Sequence, residues 1–284
     1  MSPPPPRRRK PPAGGRRPVP PRKGAPAGRP PGRASSRELG GEQVEGRQAV
    51  RELLAARRRR VHELVLAEGL DPAPVLAEIL DLAGAARVPV RLVGRGRLDA
   101  LAATDAPQGV LARAEPLPEA DIDELVEPAG GRPPFLLALD GVTDPHNLGA
   151  LLRTAECAGV TGVVLPRHRA VHVTPTVAKA AAGAIEHLPM AVVPGLPTAL
   201  TGLRRAGVWT VGLDQGARDS VYDLAVADQP VALVLGAEGS GLSRLTTQRC
   251  DALVHVPQYG SLPSLNVSAA GAVACFELAR RRAR

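Results

Sequence analysis

A cluster of short hydroxyl and amide side chains lies just before the C-terminal segment of the chain. Ser264, Asn266 and Ser268 follow an apolar run at Ala252–Val256 and a loop marked by proline and glycine, and they precede the apolar segment Ala269–Leu278. This pattern predicts a strand, a loop and a buried helix. Side chains of this kind can cap the helix or leave backbone N–H groups available to a ligand. The stretch alone fits an ordinary cap and a binding site equally.

Two further segments place polar side chains and glycines directly after apolar runs. In the first, which follows Phe135–Leu139, Arg153 lies six residues after Asn147, so both fall in the first two turns of a predicted helix. In the second, Glu238 lies among the glycines of Gly236–Leu242, which allow close backbone approach and unusual φ values. Its GxxGxG spacing is a weak match to a dinucleotide-binding fingerprint.

The elements around these segments alternate between apolar strands and helical stretches. The predicted strands are Phe135–Leu139, Gly162–Leu165, Ala191–Val193, Val208–Gly212, Val231–Leu235 and Leu253–Val256, and the predicted helices are Asn147–Ala158, Val177–Ala184, Leu196–Ala206 and Ala269–Arg281. Such alternation predicts an α/β fold with a mostly parallel sheet covered on both faces. Ligands of these sheets bind at the carboxyl ends of the strands, and each of the three polar segments follows a strand.

In this order and spacing, residues 139–156, 231–242 and 256–271 resemble the three signature motifs of the SpoU (TrmH-like) family of RNA ribose 2′-O-methyltransferases, within the SPOUT superfamily. The resemblance covers residues 132–284. It implies RNA as substrate, S-adenosylmethionine as cofactor and a C-terminal trefoil knot.

The resemblance also implies where the knot and the subunit interface lie. The loops Gly236–Leu242 and Gln258–Asn266 would form the knot, and the cofactor would bind there in a bent shape. Family members are homodimers whose packing completes the active site, and the helix Ala269–Leu278 is a candidate for that interface.

Methyl transfer to a ribose 2′-hydroxyl is an in-line displacement that needs no metal ion. It needs a methyl group facing the hydroxyl, a route for the proton and a clamp on the RNA. By the resemblance, the catalytic residues are Arg153, Asn147, Glu238, Ser264 and Asn266, and the cofactor-binding residues are Gly236, Val256, Leu265 and Leu235.

Two of these catalytic residues have alternative roles. The arginine matching Arg153 is usually described as the base that takes the hydroxyl proton, yet arginine titrates above about 12 and a phosphate favours its charged form. Arg153 as a cation that stabilises the developing alkoxide is an equal hypothesis. Glu238 would orient Arg153 or Asn147.

The chain before the methyltransferase segment divides into three parts. Residues 41–113 are predicted to form a small α/β domain, with helices at 46–54 and 74–86, and strands at 61–66 and 88–93. It resembles the substrate-binding domain of the family, whose fold is like that of ribosomal protein L30e, except that Pro107 replaces a common histidine. Residues 114–131, rich in proline and acidic side chains, are predicted to be a linker.

The excess of positive over negative charge lies entirely in the N-terminal segment. Of 36 Lys and Arg residues, 11 lie in residues 1–40, where Glu38 is the only acidic residue, giving that segment +10 and the rest of the chain −2. Residues 1–40 have almost nothing to bury and are predicted to be a disordered tail that can meet a polyanion. A purely solubilising role is the alternative.

Other features exclude several classes of protein. Cys157, Cys250 and Cys275 lack metal-binding spacing and are predicted to be buried free thiols in a reducing compartment. No apolar run suits a membrane span, so a cytoplasmic protein is expected. His168 and His172 are four residues apart, but the Pro175 that follows argues against a helix, and we predict no metal site.

Within the family, the motifs and the small domain are most like the branch that methylates guanosine in 23S ribosomal RNA. A tRNA 2′-O-methyltransferase and an antibiotic-resistance rRNA methyltransferase are alternatives. A non-catalytic RNA-binding ribosome assembly factor is an alternative of another class. Lys179 lies in a region that faces substrate in the family and is a candidate phosphate contact; the other interpretation is a solvated helix lysine.

Overall fold

The structure is a computed structural model that describes residues 39–128, 130–168, 172–262 and 264–283. These residues contain a four-stranded sheet followed along the chain by a seven-stranded sheet. We call residues 43–114 the N-terminal unit and residues 135–282 the C-terminal unit. Most of the predicted tail lies outside the described residues.

The N-terminal unit is a mixed sheet with the strand order β1-β4-β2-β3. Its elements are β1 (Gln43–Glu45), α1 (Arg47–Ala56), β2 (Val61–Ala67), α2 (Pro74–Ala85), β3 (Val90–Val93), α3 (Arg95–Leu101) and β4 (Val110–Ala114). Strands β2 and β3 are parallel, and the other pairs are antiparallel. Helix α1 buries Ala49, Val50, Leu53 and Leu54, a helical spacing that faces the core of this unit.

The C-terminal unit begins after a short helix, α4 (Ile122–Leu125). Its strands are β5 (Phe135–Asp140), β6 (Gly162–Pro166), β7 (Met190–Val193), β8 (Trp209–Leu213), β9 (Asp219–Ser220), β10 (Val231–Gly236) and β11 (Ala252–His255). Its α-helices are α5 (Pro145–Cys157), α6 (Pro175–Ala180), α7 (Leu196–Arg205), α8 (Arg244–Thr247) and α9 (Val267–Arg282).

These seven strands form one sheet in the order β7-β6-β5-β10-β8-β11-β9, and every neighbouring pair is parallel. The predicted α/β fold with a mostly parallel sheet is confirmed. Helices cover both faces, because Leu137 of β5 packs in a core with α5 and α9, while its neighbour Leu136 packs in a core with α4 and α7. Strands buried on both faces explain the continuous apolar runs in the sequence.

Helix α6 is shorter than the sequence predicts. It ends at Ala180, after which Ala182 and Gly183 take left-handed backbone conformations with φ of 51° and 90°. A Cβ on Gly183 would lie 2.3 Å from the Cβ of Glu52 in the N-terminal unit. The chain therefore turns here because it meets a distant segment, which local periodicity does not encode.

The predicted linker is packed rather than extended. Leu117 and Leu125 are buried against the C-terminal unit, and the Ala120 amide donates to the carbonyl of Met190. Leu39, which the sequence assigned to the tail, is only 1% exposed in the same core as Leu117. The segments on either side of the N-terminal unit are therefore held in place.

Of the three cysteines predicted to be buried, only Cys275 is fully buried, and Cys250 is partly buried. Burial raises the pKa of the Cys250 and Cys275 thiols to about 12. Cys157, in contrast, is exposed because it ends α5 on the outward side, so the prediction of three buried thiols is wrong. Among the described residues, no helix is both long and apolar enough to cross a membrane.

Helices α5 and α6 cross at Gly149, where a side chain has no room. A Cβ on Gly149 would lie 2.4 Å from the Cβ of Ala180 and 2.9 Å from the carbonyl oxygen of Val177. The glycine of the first polar segment therefore permits close helix packing beneath Asn147.

We expect Gly149→Ala to lower the free energy of unfolding by about 1–3 kcal/mol, because the helices must separate to admit the methyl group. Gly202→Ala is the matched control, since Gly202 lies within α7 with open space around its Cβ position. We expect that change to be neutral or to stabilise by up to about 1 kcal/mol. Chemical denaturation measures both, and equal stabilities would contradict the packing argument.

Candidate active site

The three polar segments meet at one edge of the seven-stranded sheet. They follow β5, β10 and β11, and the parallel register pairs Gly236 at the end of β10 with Asp140 at the end of β5. The prediction that each segment follows a strand is confirmed. The carboxyl edge of the sheet is where ligands bind in folds of this kind.

The glycines after β10 form a tight loop. Ala237 and Gly241 exchange two backbone hydrogen bonds of 3.0 and 2.9 Å, and Gly239 and Gly241 have left-handed φ values of 79° and 65°. A Cβ on Gly236 would lie 2.1 Å from the carbonyl carbon of Gly241. The GxxGxG spacing is thus required by this turn, and it presents Glu238 at the sheet edge.

Glu238 accepts hydrogen bonds from two asparagine side chains. Its Oε2 accepts from Asn147 Nδ2 at 2.8 Å, and its Oε1 accepts from Asn266 Nδ2 at 3.3 Å. Asn266 Nδ2 also donates to Asn147 Oδ1 at 3.0 Å. We call these three side chains the Asn–Glu–Asn network. Of the two partners that the resemblance allowed for Glu238, Asn147 is the one it contacts here.

Helix capping fixes both asparagines. Asp144 caps α5 by accepting from the Asn147 backbone amide at 2.7 Å, which places Asn147 in the first turn. Asn266 is itself the cap of α9, because its Oδ1 accepts from the Ser268 amide at 2.9 Å and the Ser268 hydroxyl at 2.6 Å. The positive ends of two helix dipoles therefore converge beside the Glu238 carboxylate.

A pocket of about 740 Å³ opens beside this network. All four predicted cofactor-binding residues line it, together with three of the predicted catalytic residues; these seven are Leu235, Gly236, Val256, Leu265, Glu238, Ser264 and Asn266. Asn147 joins the site through its bonds to Glu238 and Asn266. The volume falls in the range of small-molecule pockets.

Arg153 is placed differently. It is exposed on α5 and is not among the described residues that line the pocket. Six residues correspond to about one and two-thirds turns of a helix, so Arg153 and Asn147 face different directions. The structure brings together four of the five predicted catalytic residues and leaves Arg153 on the outer face of the helix.

The pocket also includes residues that the sequence analysis did not select. Leu213 ends β8, and Asp214, Gln215 and Gly216 follow it. The Asp214 carboxylate accepts from the Gly216 amide at 2.7 Å to form a turn. His255 at the end of β11 lines the same wall. The sequence could have indicated these residues, because they lie at the end of a predicted strand. In the sheet, β8 lies between β10 and β11, so all three strands end at the same edge.

The candidate phosphate contact, Lys179, lies at the junction of the two units rather than in the pocket. Its Cγ is 3.7 Å from the position that a Cβ on Gly46 would take. Among the described residues, no cluster of three or more His, Cys, Asp or Glu side chains is arranged to hold a metal ion.

Comparison with known proteins identifies the class to which this fold and site belong. The SpoU rRNA Methylase family matches residues 134–276, and the RNA 2′-O ribose methyltransferase substrate binding family matches residues 43–120. The chain belongs to the SpoU rRNA methylase family.

Individual relatives are similar over most of the chain. It is 42% identical to the 23S rRNA (guanosine-2′-O-)-methyltransferase RlmB of Pseudomonas putida over 85% of this chain and 97% of the relative. It is 47% identical to the enzyme of the same name from Ralstonia nicotianae over 73% and 83%. Among solved structures, the AdoMet-bound rRNA methyltransferase from Sinorhizobium meliloti has a TM-score of 0.70 and 25% identity, over 84% of this chain and 87% of that one.

We expect Asn266→Asp to reduce methyl transfer about 100-fold, a loss typical of a disrupted preorganised polar site. Aspartate still caps α9, but it removes both donated hydrogen bonds and places a second carboxylate beside Glu238. Unfolding free energy should change by less than about 1 kcal/mol, because the cap persists.

The matched control is Asp144→Asn, the reverse exchange at the cap of α5, where the side chain contacts a backbone amide only. It should retain most activity. Initial rates with saturating RNA, alongside thermal unfolding of each variant, measure the difference. Equal rates for the two variants would show that the Asn–Glu–Asn network is dispensable.

Proposed function

We propose that this protein uses S-adenosylmethionine to methylate the ribose 2′-hydroxyl of a guanosine in 23S ribosomal RNA. The observation that carries the proposal is the Asn–Glu–Asn network beside the pocket, in a chain that spans nearly the whole length of relatives bearing that name. Such a substrate places the protein with the ribosomes, in the cytoplasm.

The pocket fits the cofactor. Leu235, Val256 and Leu265 offer apolar surface for an adenosyl group, and Gly236 offers backbone with no side chain in the way. The turn at Asp214 adds polar groups at the rim. When bound, S-adenosylmethionine supplies an electrophilic methyl group on a sulfonium.

The network assigns distinct tasks to the two asparagines. Both hydrogens of Asn266 Nδ2 have acceptors within the network, and its Oδ1 caps α9, so Asn266 serves to position its neighbours. Asn147 donates only one of its two amide hydrogens to Glu238. Its second N–H is available to the ribose, and Ser264 supplies a hydroxyl at the pocket wall.

The active protein is a homodimer in which Arg153 completes the pocket of the partner subunit. In one protomer Arg153 lies on an outward face, whereas its predicted role requires it beside the ribose. The dimer interface includes α9, where Phe276 is 50% exposed although its neighbours Cys275 and Glu277 are buried. Tyr259, 95% exposed in the loop after β11, adds apolar surface near the same pocket.

Two finer features of the fold belong to the same proposal. The loops Gly236–Leu242 and Gln258–Asn266 form a trefoil knot, supported by their position side by side around one pocket. Residues 41–113 form an L30e-like domain that binds RNA, residues 114–131 connect it, and residues 132–284 form the methyltransferase domain. The match of a substrate-binding family to residues 43–120 supports this division.

The test of the proposed function is incubation of the purified protein with tritiated S-adenosylmethionine and total ribosomal RNA. We expect label in 23S RNA, on the ribose of one guanosine, as mapped by nuclease digestion and fragment analysis. Transfer RNA is the comparison substrate. Label confined to tRNA, or found on bases, would contradict the proposal.

We expect Arg153→Ala to lower turnover at least about 100-fold, whether the residue acts as base or as cation, while cofactor binding stays within about twofold. Isothermal titration with S-adenosylmethionine checks the second point. Near-normal turnover would rule out both roles.

Subunit mixing tests where Arg153 acts. Equal amounts of Arg153→Ala and Asn266→Asp chains, unfolded and refolded together, should recover roughly a quarter of wild-type activity, because half of the dimers are mixed and each mixed dimer has one intact site. If Arg153 serves its own protomer, the mixture stays as inactive as its components.

A further inference from the structure

Two chain segments, one on each side of the N-terminal unit in sequence, lie side by side against the C-terminal unit. We call Leu39–Gly41 and Glu115–Leu117 together the neck. The Leu117 amide donates to the Gly40 carbonyl at 2.9 Å, and the Val173 amide of the C-terminal unit donates to the Leu39 carbonyl at 2.9 Å. Leu39 and Leu117 are both buried in the core beneath β5. The neck is therefore part of the C-terminal unit's packing.

One guanidinium joins the neck to both units. Arg59, just before β2, donates through Nη1 to the carbonyl oxygens of Gly41 at 2.6 Å and Glu115 at 2.5 Å, one from each neck segment. Its Nε and Nη2 donate to the two carboxylate oxygens of Glu186 at 3.0 and 2.6 Å. The Arg59 and Glu186 side chains are only 2% and 1% exposed.

Further contacts surround this pair. Arg58 donates to the backbone carbonyl of Glu186 at 3.0 Å, and His187 Nε2 lies 2.8 Å from the Glu52 carboxylate on α1. Gly183 packs against the same Glu52 side chain. Together these contacts hold α1 and the start of β2 in one orientation against the C-terminal unit.

A buried ion pair adds little net stability, because the cost of removing both charges from water offsets much of their attraction. Its better-documented role is to favour one arrangement of the chain over others. Arginine suits this task, since its rigid fork engages a carboxylate bidentately and still offers donors to carbonyls. Neither Arg59 nor Glu186 is among the described residues lining the candidate active-site pocket.

The orientation held in this way aligns features that can contact RNA. A cleft of about 720 Å³ in the N-terminal unit is lined by the basic and amide residues Arg47, Arg95 and Gln108 and by the acidic residues Asp71, Asp99 and Asp105. Arg47 follows Gly46, against which Lys179 packs. Lys179 lies on α6, which crosses α5 below Asn147. Two basic residues, Arg47 and Lys179, therefore lie between the cleft and α5, the helix that carries part of the active site.

We propose that Arg59 is a positioning residue that holds the N-terminal unit at a fixed orientation, so that RNA bound there presents its target ribose at a set distance from the pocket. This inference rests on the proposed function. It predicts that the neck is rigid. A more mobile neck should raise the KM for RNA and leave kcat and cofactor affinity unchanged.

The test compares three variants of the full chain with the wild type. Arg59→Met removes the guanidinium and its hydrogen bonds to the neck and to Glu186. The double variant Arg59→Met, Glu186→Met also removes the carboxylate that would be left buried and unpaired, which restores stability without restoring the bonds to Gly41 and Glu115. Arg60→Met removes the same charge at the neighbouring exposed position. The measurements are amide hydrogen exchange of the neck, cofactor affinity, and KM and kcat with ribosomal RNA.

In both Arg59 variants we expect faster exchange at the Leu117 and Val173 amides, a KM for RNA raised about tenfold, and kcat and cofactor affinity within about twofold of wild type. Arg60→Met should match the wild type. A merely structural role for Arg59 predicts instead that KM recovers in the double variant along with stability, and that outcome would overturn the proposal.

Two other results would also overturn it: unchanged neck exchange in both Arg59 variants, or faster exchange with an unchanged KM. Failure of the proposed function would give a different result. The wild-type protein would then not methylate ribosomal RNA, but amide hydrogen exchange in the neck would still be faster in the Arg59 variants than in the wild type. RNA affinity measured by filter retention then takes the place of KM, with the same expected loss in the Arg59 variants.

Discussion

The carboxylate of Glu238 joins the first turns of two helices that are more than a hundred residues apart in sequence, and the rest of the site depends on this junction. Asn147 lies in the first turn of α5, Asn266 caps α9, and Glu238 contacts both from the loop after β10. The three meet only because β5, β10 and β11 are parallel strands ending at one edge. Close packing then fixes the position of each segment. Gly236 has no room for a side chain in the tight loop after β10, and Gly149 has none where α5 crosses α6.

Much of this arrangement could be predicted from the sequence, because its physical causes are local. Doubly buried parallel strands appear as continuous apolar runs, and polar residues directly after them must lie at the carboxyl edge. The predicted pocket residues Leu235, Gly236, Val256 and Leu265 do line one cavity. Asp214 and its neighbours were not predicted as pocket residues, because an aspartate that closes a short turn has the same sequence pattern as an ordinary surface turn.

What could not be predicted has causes that are remote along the chain. The end of α6 is set by contact of Gly183 with Glu52, which lies on helix α1 of the N-terminal unit. Likewise, the buried environment of Leu39 depends on a strand that begins almost a hundred residues later. Arg153 shows a third limit, since a motif groups residues by function without stating their positions in space. In this chain Arg153 is exposed on α5 and does not line the pocket.

The side-by-side arrangement of the neck segments has a consequence for how such proteins diversify. Leu39 lies before the N-terminal unit and Leu117 after it, yet both pack in the core of the C-terminal unit. The N-terminal unit is therefore anchored to the C-terminal unit at both of its ends and at a single place. A unit held in this way at both of its ends can be lengthened or replaced without changing the path of the chain through the seven-stranded sheet.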